Sequence, residues 1–571
     1  MTLIPLPKIP RQHGLDALRA FAMLLGIALH GALSFAGFPW IVQDLRPDPS
    51  FGLLFTLIHS FRMQLFMLLS GYFTMMLWRK RGLNSLLKQR FWRVFLPCMI
   101  GLVTVIPAME WASGVAGQWS AKQDLHKRTT SAGRSEIVEA IRKGDLAEIG
   151  RLIQSGHDVN QIDPQFQNPP LVWAARYGDP KVAQLLLDRG ADVLFQAKDG
   201  YSALHSAAFL GHFRMVELLI ERGANANALG QKNDTALDTT RADRGTTTVI
   251  ANILGVPLRP EDEIEAEREE CRQFLSHYTK KKDGGNLVKP NGFLLAGLDG
   301  IRKGYADFLT SERLLWKGNG QREPFHLILT PVFHHLWFLW FLCWFVGFFA
   351  IIVLVGKVLP VGKFPPTLIL TQARWLWIFP ATMVPQLLMG IFSPGIGPDT
   401  STGLIPQPHL LVFYGIFFAF GAFYYDCDDR DGQLGKYWRW SLPLGLFVFL
   451  PLASATMGQV VVSGCLQVIC AWAISFGCIG LCNRYLTQEN KTIRYLSDSA
   501  YWLYLAHLPL IILLQAWVRN WDIPAFPKFV FVCSLCTILL LVSYQFLVRY
   551  SFIGLLLNGP RSRSKDAPLI K

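Results

Sequence analysis

Apolar residues dominate long runs at 17–38, 53–77 and 93–110, and again at 331–356, 372–391, 408–425, 440–455, 458–481, 498–518 and 527–548. Each run is near the ~20 residues that an α-helix needs to cross hydrocarbon. In lipid the backbone must satisfy its own hydrogen bonds, so the runs predict helices despite their many Phe, Ile and Val residues. The pattern predicts an all-α polytopic membrane protein of about ten transmembrane helices. Runs 440–455 and 458–481 also read as one broken hairpin, and losing one span would reverse the orientation of everything after it. The start, MTLIPLPKIPRQHGLDALRA, lacks the layout of a cleavable leader, and its first apolar run continues as a full span.

The connectors sort by charge. One side collects Lys8 and Arg11, the loop RKRGLNSLLKQRFWR at 79–93, Lys357 and Lys363, then Arg430, Lys436 and Arg439, then Arg484, Lys491 and Arg494, and the RSRSK tail. The opposite connectors are poor in Lys and Arg, so the positive-inside rule puts both termini in the cytoplasm. The pattern divides the chain into three helices within 1–110, a polar insertion at 111–330, the remaining helices within 331–550 and a basic cytoplasmic tail at 551–571. Parity places the insertion outside the cytoplasm. The expected location is a bacterial inner membrane, with the insertion in the periplasm.

The insertion contains a repeat. Leu171, Leu204 and Leu237 recur every 33 residues, as do Gly178 with Gly211 and Gly190 with Gly223. The segments at 168–195 and 200–228 share one layout, EIVEAIRKGDLAEIGRLIQSGHDVN at 136–160 is a weaker copy, and a degenerate fourth begins NDTALDTTRADRG. Period and landmarks resemble ankyrin repeats over about 135–255, an inserted α-solenoid of helix pairs that cover one another's apolar faces. Such a stack implies a protein partner or an oligomer contact, and His205 sits where these repeats use a structural His. After the repeats, EDEIEAEREECRQFLSHY predicts an acidic amphipathic helix and KKKDGGN a turn. FLLAGLDGIRKGYADFLTSERLLW reads as an interfacial helix or part of a substrate groove.

Composition sharpens this picture. Of 571 residues 51% are hydrophobic and only 17% charged, where a soluble domain carries roughly 25% charged residues. The formal net charge of +14 sits largely in the predicted cytoplasmic loops, where topology explains it, so no nucleic-acid partner is expected. Only Cys271 among ten Cys lies outside the hydrophobic parts and their borders, which excludes a disulfide-stapled insertion. The Cys533–Cys536 pair lies in an apolar run without His or a third Cys, so no metal is expected there.

Titratable residues inside spans are costly and mark candidate sites. In the first span Asp16 and Arg19 lie near the cytoplasmic end, and His30 follows Arg19 by eleven residues. That spacing is almost three turns, so both share a face about 16 Å apart along the axis. His59 and Arg62 sit near the outer end of the second span, at a depth similar to that of His30, and the three are expected to converge if the helices pack together. His334 and His335 open the fourth span, and His507 lies midway through the ninth near Tyr504. Such a set suits a reaction that removes a proton and stabilises an oxyanion. The plainer readings remain open: an interhelical hydrogen bond for His30, pairing with a neighbouring helix or backbone for Arg62, a structural or site-shaping role for His507, packing for Tyr504, a border position for His334, and lipid headgroups for Arg19.

The segments LDALRAFAMLLGIALH (15–30), HSFRMQLFMLLSGYF (59–73), RFWRVFLP (90–97), HHLWFLWFL (334–342) and LSDSAYWLYLAHLP (496–509) resemble the membrane acyltransferase-three family, especially its bacterial glucan succinyltransferase branch. The resemblance implies transfer of an acyl group from a cytoplasmic acyl-CoA to a hydroxyl of an extracytoplasmic carbohydrate, without a tightly bound cofactor. In the glucan branch it implies succinyl-CoA and a periplasmic glucan. It puts His30 in the place of the family's catalytic His, Arg19 at the conserved donor-associated Arg, and Arg62 at the basic residue of the second-span motif. The loop cations Arg79, Lys80, Arg81 and Arg90 are then expected to attract the donor's phosphates. The ankyrin-like insertion has no place in that family pattern. Competing classes are a transporter or flippase of an anionic or glycan substrate, and a membrane scaffold acting through the repeats. Neither yields free CoA from acyl-CoA.

Overall fold

The computed structural model describes residues 13–559 except 38–39, 131–135, 164–167, 198–199, 231–233, 243–246, 248–249, 252–255, 280–292, 312–313, 317–324, 357–363 and 392–394. The expected turn KKKDGGN, the cations Lys8, Arg11, Lys357 and Lys363, and the RSRSK tail lie outside the described residues. The chain divides into two compact units, one of Met1–Ala121 with Leu294–Lys571 and one of Lys122–Phe293.

The helices that precede the repeats are α1 (His13–Leu33), α2 (Ser50–His59), α3 (Arg62–Arg90) and α4 (Leu96–Thr130). The repeat region supplies α5 (Glu136–Lys143), α6 (Leu146–Gln154), α7 (Pro170–Tyr177), α8 (Pro180–Asp188), α9 (Ala203–Phe209), α10 (Phe213–Glu221), α11 (Ala236–Thr239) and α12 (Glu261–Tyr278). Then follow α13 (Phe293–Leu309), α14 (Trp337–Val355), α15 (Trp375–Gln386), α16 (Pro408–Asp426), α17 (Trp438–Leu444), α18 (Leu450–Ala455), α19 (Val460–Tyr485), α20 (Lys491–Val518) and α21 (Ala525–Ser543).

Among the described residues, seven helical runs are long and apolar enough to cross a membrane. This is fewer than the ten apolar runs of the sequence for identifiable reasons. The run Ser50–Ser120 counts once although it holds α2, α3 and α4. It is broken at Gly82, whose φ of 76° and ψ of 172° interrupt the helix inside the basic loop. Helix α15 is only 12 residues long and carries Pro380 and Pro385. α17 and α18 are joined through a π-helical turn at Gly445–Phe449, and this short pair lies against α19. The third apolar run belongs to a helix that extends to Thr130, well past the expected border at 110.

Small residues let the long helices approach. A Cβ on Gly71 of α3 would fall 1.8 Å from the Phe418 carbonyl oxygen of α16, and one on Gly421 the same distance from that of Leu68. With lipid tails as apolar as the side chains, such backbone contact supplies much of the packing that holds membrane helices together. Large aromatics fill the space beside it, with Phe417 stacked on Trp472 at 4.0 Å between centroids. At one end of the bundle, Lys528 at the start of α21 is buried and bonds Asp44 at 2.9 Å, which pins the 40–49 loop.

In the second unit, Asp145, Asp179, Ser202 and Thr235 cap their helices with side-chain oxygens. The Ser202 cap is closed by His205, whose Nδ1 accepts the Ser202 N–H at 3.3 Å. The repeat junctions recur at the expected period. Gly178 (φ 69°) leaves room for the His212 ring of the next repeat, whose Nε2 donates to the Arg176 carbonyl at 3.2 Å. Burial beside Arg259 pushes the pKa of His212 down to about 4, so it sits there neutral. One period on, Gly211 (φ 71°) faces the Ile264 backbone of α12, and Arg268 of α12 donates to the Phe209 carbonyl at 2.9 Å. Helix α12 therefore takes the place of a further repeat. It buries Ile264, Arg268, Cys271 and Leu275 and leaves its acidic side in solvent. Arg268 also serves Ala242 O and Thr247 Oγ1, carbonyl and hydroxyl acceptors that the short α11 leaves uncovered.

Candidate active site

Helices α1 and α20 pack side by side, and each carries polar groups that meet at two levels. At the upper level, His507 Nδ1 lies 2.7 Å from the Tyr504 carbonyl and 3.0 Å from that of Leu503. Beside carbonyl oxygens this nitrogen must carry the proton, so the neutral ring presents a lone pair on Nε2. His507 Nε2 lies 3.0 Å from His30 Nδ1, which therefore donates. His30 Nδ1 is also 3.0 Å from its own helix carbonyl, Gly26 O. The proton of neutral His30 is thus held on Nδ1, and Nε2 is left with the basic lone pair. One local pattern, a histidine one turn beyond a carbonyl on each helix, fixes both tautomers.

The His30 ring stacks on Trp40 at 6.2 Å between centroids with a 27° interplanar angle. Gln515 of α20 locks this pair by accepting from Trp40 Nε1 at 2.9 Å and donating to the His30 carbonyl at 2.9 Å. Sequence reasoning passed over both residues. Gln515 carried a signal, a polar side chain deep in an apolar helix eight positions beyond His507, whereas Trp40 carried none.

His30, Arg62, His335, Tyr504 and His507 line one cavity, with Gly26, Met63, Phe66, Trp337 and Phe338 among the other walls. The cavity volume is about 50 Å³, room for a few waters or a slim acyl group. Arg62 opens α3 just after the chain bends at Ser60–Phe61, and its Nε is buried without a hydrogen-bond partner among the described residues. Tyr504 and Tyr414 stand near it, and no carboxylate forms an ion pair with it among the described residues. The guanidinium is thus an uncommitted donor. A Cβ on Gly26 would come within 2.6 Å of Arg62 Nη1, so glycine there keeps a passage for the arginine past α1.

His335 lines the cavity through the turn that opens α14. Its Nε2 is 3.3 Å from the Leu505 carbonyl, and its Nδ1 is buried without a partner among the described residues. His334 is not among the cavity's lining residues. Its backbone takes φ 42°, a turn conformation that separates the two adjacent histidines. His59 also departs from the expected convergence. Its Nε2 donates to the Pro398 carbonyl at 2.9 Å while the ring packs on Gly397 and stacks on Phe55, because the helix break places it in α2 and not α3.

At the lower level, Arg19 Nη2 donates to Ser497 Oγ at 2.7 Å, and Asp16 stands 3.7 Å away. Arg90 reaches into the bundle and donates to Thr74 Oγ1 at 2.9 Å. Arg79 is bound instead to Asp426 at the end of α16 and stacks on Trp78, so its charge is already paired. Arg81 is exposed.

A family model described as an acyltransferase domain matches residues 12–127 and 284–548, more than half of the chain. This chain belongs to that acyltransferase family, the acyltransferase-three family. A model for three ankyrin repeats matches 137–229, between the two acyltransferase segments. The acyltransferase scaffold is membrane-embedded and largely helical, and the inserted repeats are of a type known elsewhere as protein-interaction modules. Glucans biosynthesis protein C of Escherichia coli O1:K1 and of Escherichia coli O157:H7 are each 35% identical over 130 residues, which is 21% of this chain and 33% of theirs. The chain thus matches about a third of the length of these curated relatives. The crystal structure of the ankyrin repeat domain of Bcl-3 is 31% identical, covering 22% of this chain and 52% of that one, with a TM-score of 0.19.

Proposed function

We propose that this acyltransferase moves an acyl group, succinyl by analogy with the glucan branch, from a cytoplasmic acyl-CoA to a hydroxyl of an extracytoplasmic glucan. The observation that carries the reading is the tautomer chain His507–His30, which leaves an imidazole lone pair in the same cavity as the uncommitted Arg62 guanidinium. The acceptor hydroxyl gives its proton to His30 Nε2 as its oxygen bonds to the thioester carbon. The imidazolium that forms is held through its Nδ1–H by His507. Arg62 faces the oxyanion of the tetrahedral intermediate, where a fixed donor in a water-poor site acts strongly. The intermediate then expels the CoA thiolate, which recovers the proton from His30. A bound metal plays no part in these steps.

In this reading ten helices span a bacterial inner membrane, counting α15 and the α17–α18 pair. Both termini are cytoplasmic and the repeat unit is periplasmic, where it takes a protein partner. Arg19 and Arg90 hold the lower part of the donor, while exposed Arg81 and the neighbouring loop attract its phosphates. Purified protein supplied with succinyl-labelled CoA and a β-glucan oligosaccharide is expected to release free CoA and label the glucan in equal amounts. Label that stays on CoA while the glucan or thioester crosses a vesicle membrane would mark a transporter.

A further inference from the structure

Ser497, Tyr501, Tyr504 and His507 follow one another on α20 at intervals of four, three and three residues, which makes a polar row along one side of the helix. Three of the four have protein partners. Ser497 accepts from Arg19 at 2.7 Å, the Tyr504 hydroxyl donates to the His335 carbonyl at 2.5 Å, and His507 meets His30 at 3.0 Å. The Tyr501 hydroxyl is buried without a hydrogen-bond partner among the described residues. Tyr504, Cys98, Cys343 and Arg90 are the titratable groups around it. Arg90 spends Nη2 on Thr74, yet its Nε is likewise buried without a partner. Buried polar groups are normally satisfied, and a hydroxyl and a guanidinium N–H each left open in an apolar bundle call for a polar ligand between the two levels of the site.

We propose that Tyr501, assisted by Arg90, is the hydrogen-bonding site for the amide of the donor's pantetheine arm that lies farther from sulfur; this rests on the thioester reading above. The lengths agree. Tyr501 precedes His507 by six residues, about 9 Å along the helix axis. In an extended arm the farther amide nitrogen lies roughly 9 Å from the sulfur and the nearer one about 4 Å. With the thioester at His30, the farther amide comes level with Tyr501, whose O–H donates to the amide oxygen. An amide is the fitting partner because it offers a neutral carbonyl and N–H and keeps the arm uncharged at this depth.

The test uses full-length protein in detergent, a β-glucan oligosaccharide as acceptor, and three thioesters of one succinyl group. These are the thioesters of CoA, of pantetheine and of N-acetylcysteamine, the last of which keeps the nearer amide and lacks the farther one. Tyr501→Phe is expected to raise KM about five- to tenfold for the CoA and pantetheine thioesters, with kcat retained. Its kinetics with the N-acetylcysteamine thioester stay at the wild-type value, which also reports an intact fold. Equal loss with all three donors, or loss with none, overturns the assignment of Tyr501 and leaves the acyltransfer reading standing. Wild-type protein that releases thiol from none of the three sinks both.

Discussion

Replacing His30 by alanine is expected to lower acyl transfer by about a thousandfold, the usual scale for losing a positioned proton acceptor. The loss should appear in kcat, while binding of CoA stays near the wild-type value, because Arg19, Ser497, Tyr501 and Arg90 lie one or more turns below. The variant should also fold. The Gln515 amide holds the backbone carbonyl of residue 30 rather than its ring, so the Trp40–Gln515 bond and the α1–α20 packing survive truncation. Single-turnover transfer of labelled succinyl from CoA to glucan reads the chemistry, and equilibrium binding of CoA reads the donor site. Transfer within a few-fold of wild type would remove His30 from the reaction.

Arg62→Met should cost about a hundredfold or more in kcat, the scale of a lost oxyanion donor. Methionine keeps an unbranched apolar stem between α1 and α3 but offers no N–H to the cavity. Arg62 makes no ion pair among the described residues, and its Nε has no partner there. A cation that only held helices together would have its donors met by the protein, as Lys528 has by Asp44, Arg79 by Asp426 and Arg268 by backbone carbonyls. The same substitution in a purely structural arginine lowers stability and leaves kcat per folded molecule unchanged. Measuring kcat against the fraction of folded protein separates the two.

Local periodicity carried much of this architecture. The eleven-residue step from Arg19 to His30 put a cation and an imidazole on one side of α1, and each meets α20 at its own level. The 33-residue recurrence in the insertion reappears as equivalent junctions, His212 on Arg176 and Arg268 on Phe209. What the sequence hid lies in pairings across the chain. Arg79 looked like a free loop cation, but Asp426, 347 residues away, claims it. His59 and Arg62 are nearly one turn apart in sequence, yet the bend at Ser60–Phe61 divides them between two helices, so only Arg62 faces the cavity. Trp40 sits in a loop held by Asp44 and Lys528, residues separated by almost the whole chain. No hydrophobic pattern encodes such a contact.

The most direct measurement of the central claim is the structure of the full-length protein bound to a non-hydrolysable analogue of succinyl-CoA in which a methylene inserted between sulfur and the carbonyl turns the thioester into a ketone. The ketone oxygen should lie within about 3 Å of the Arg62 guanidinium, beside His30 Nε2, with His30 Nδ1 still paired to His507. An acyl end seated elsewhere, with the His30–Arg62 cavity closed or empty, contradicts the account.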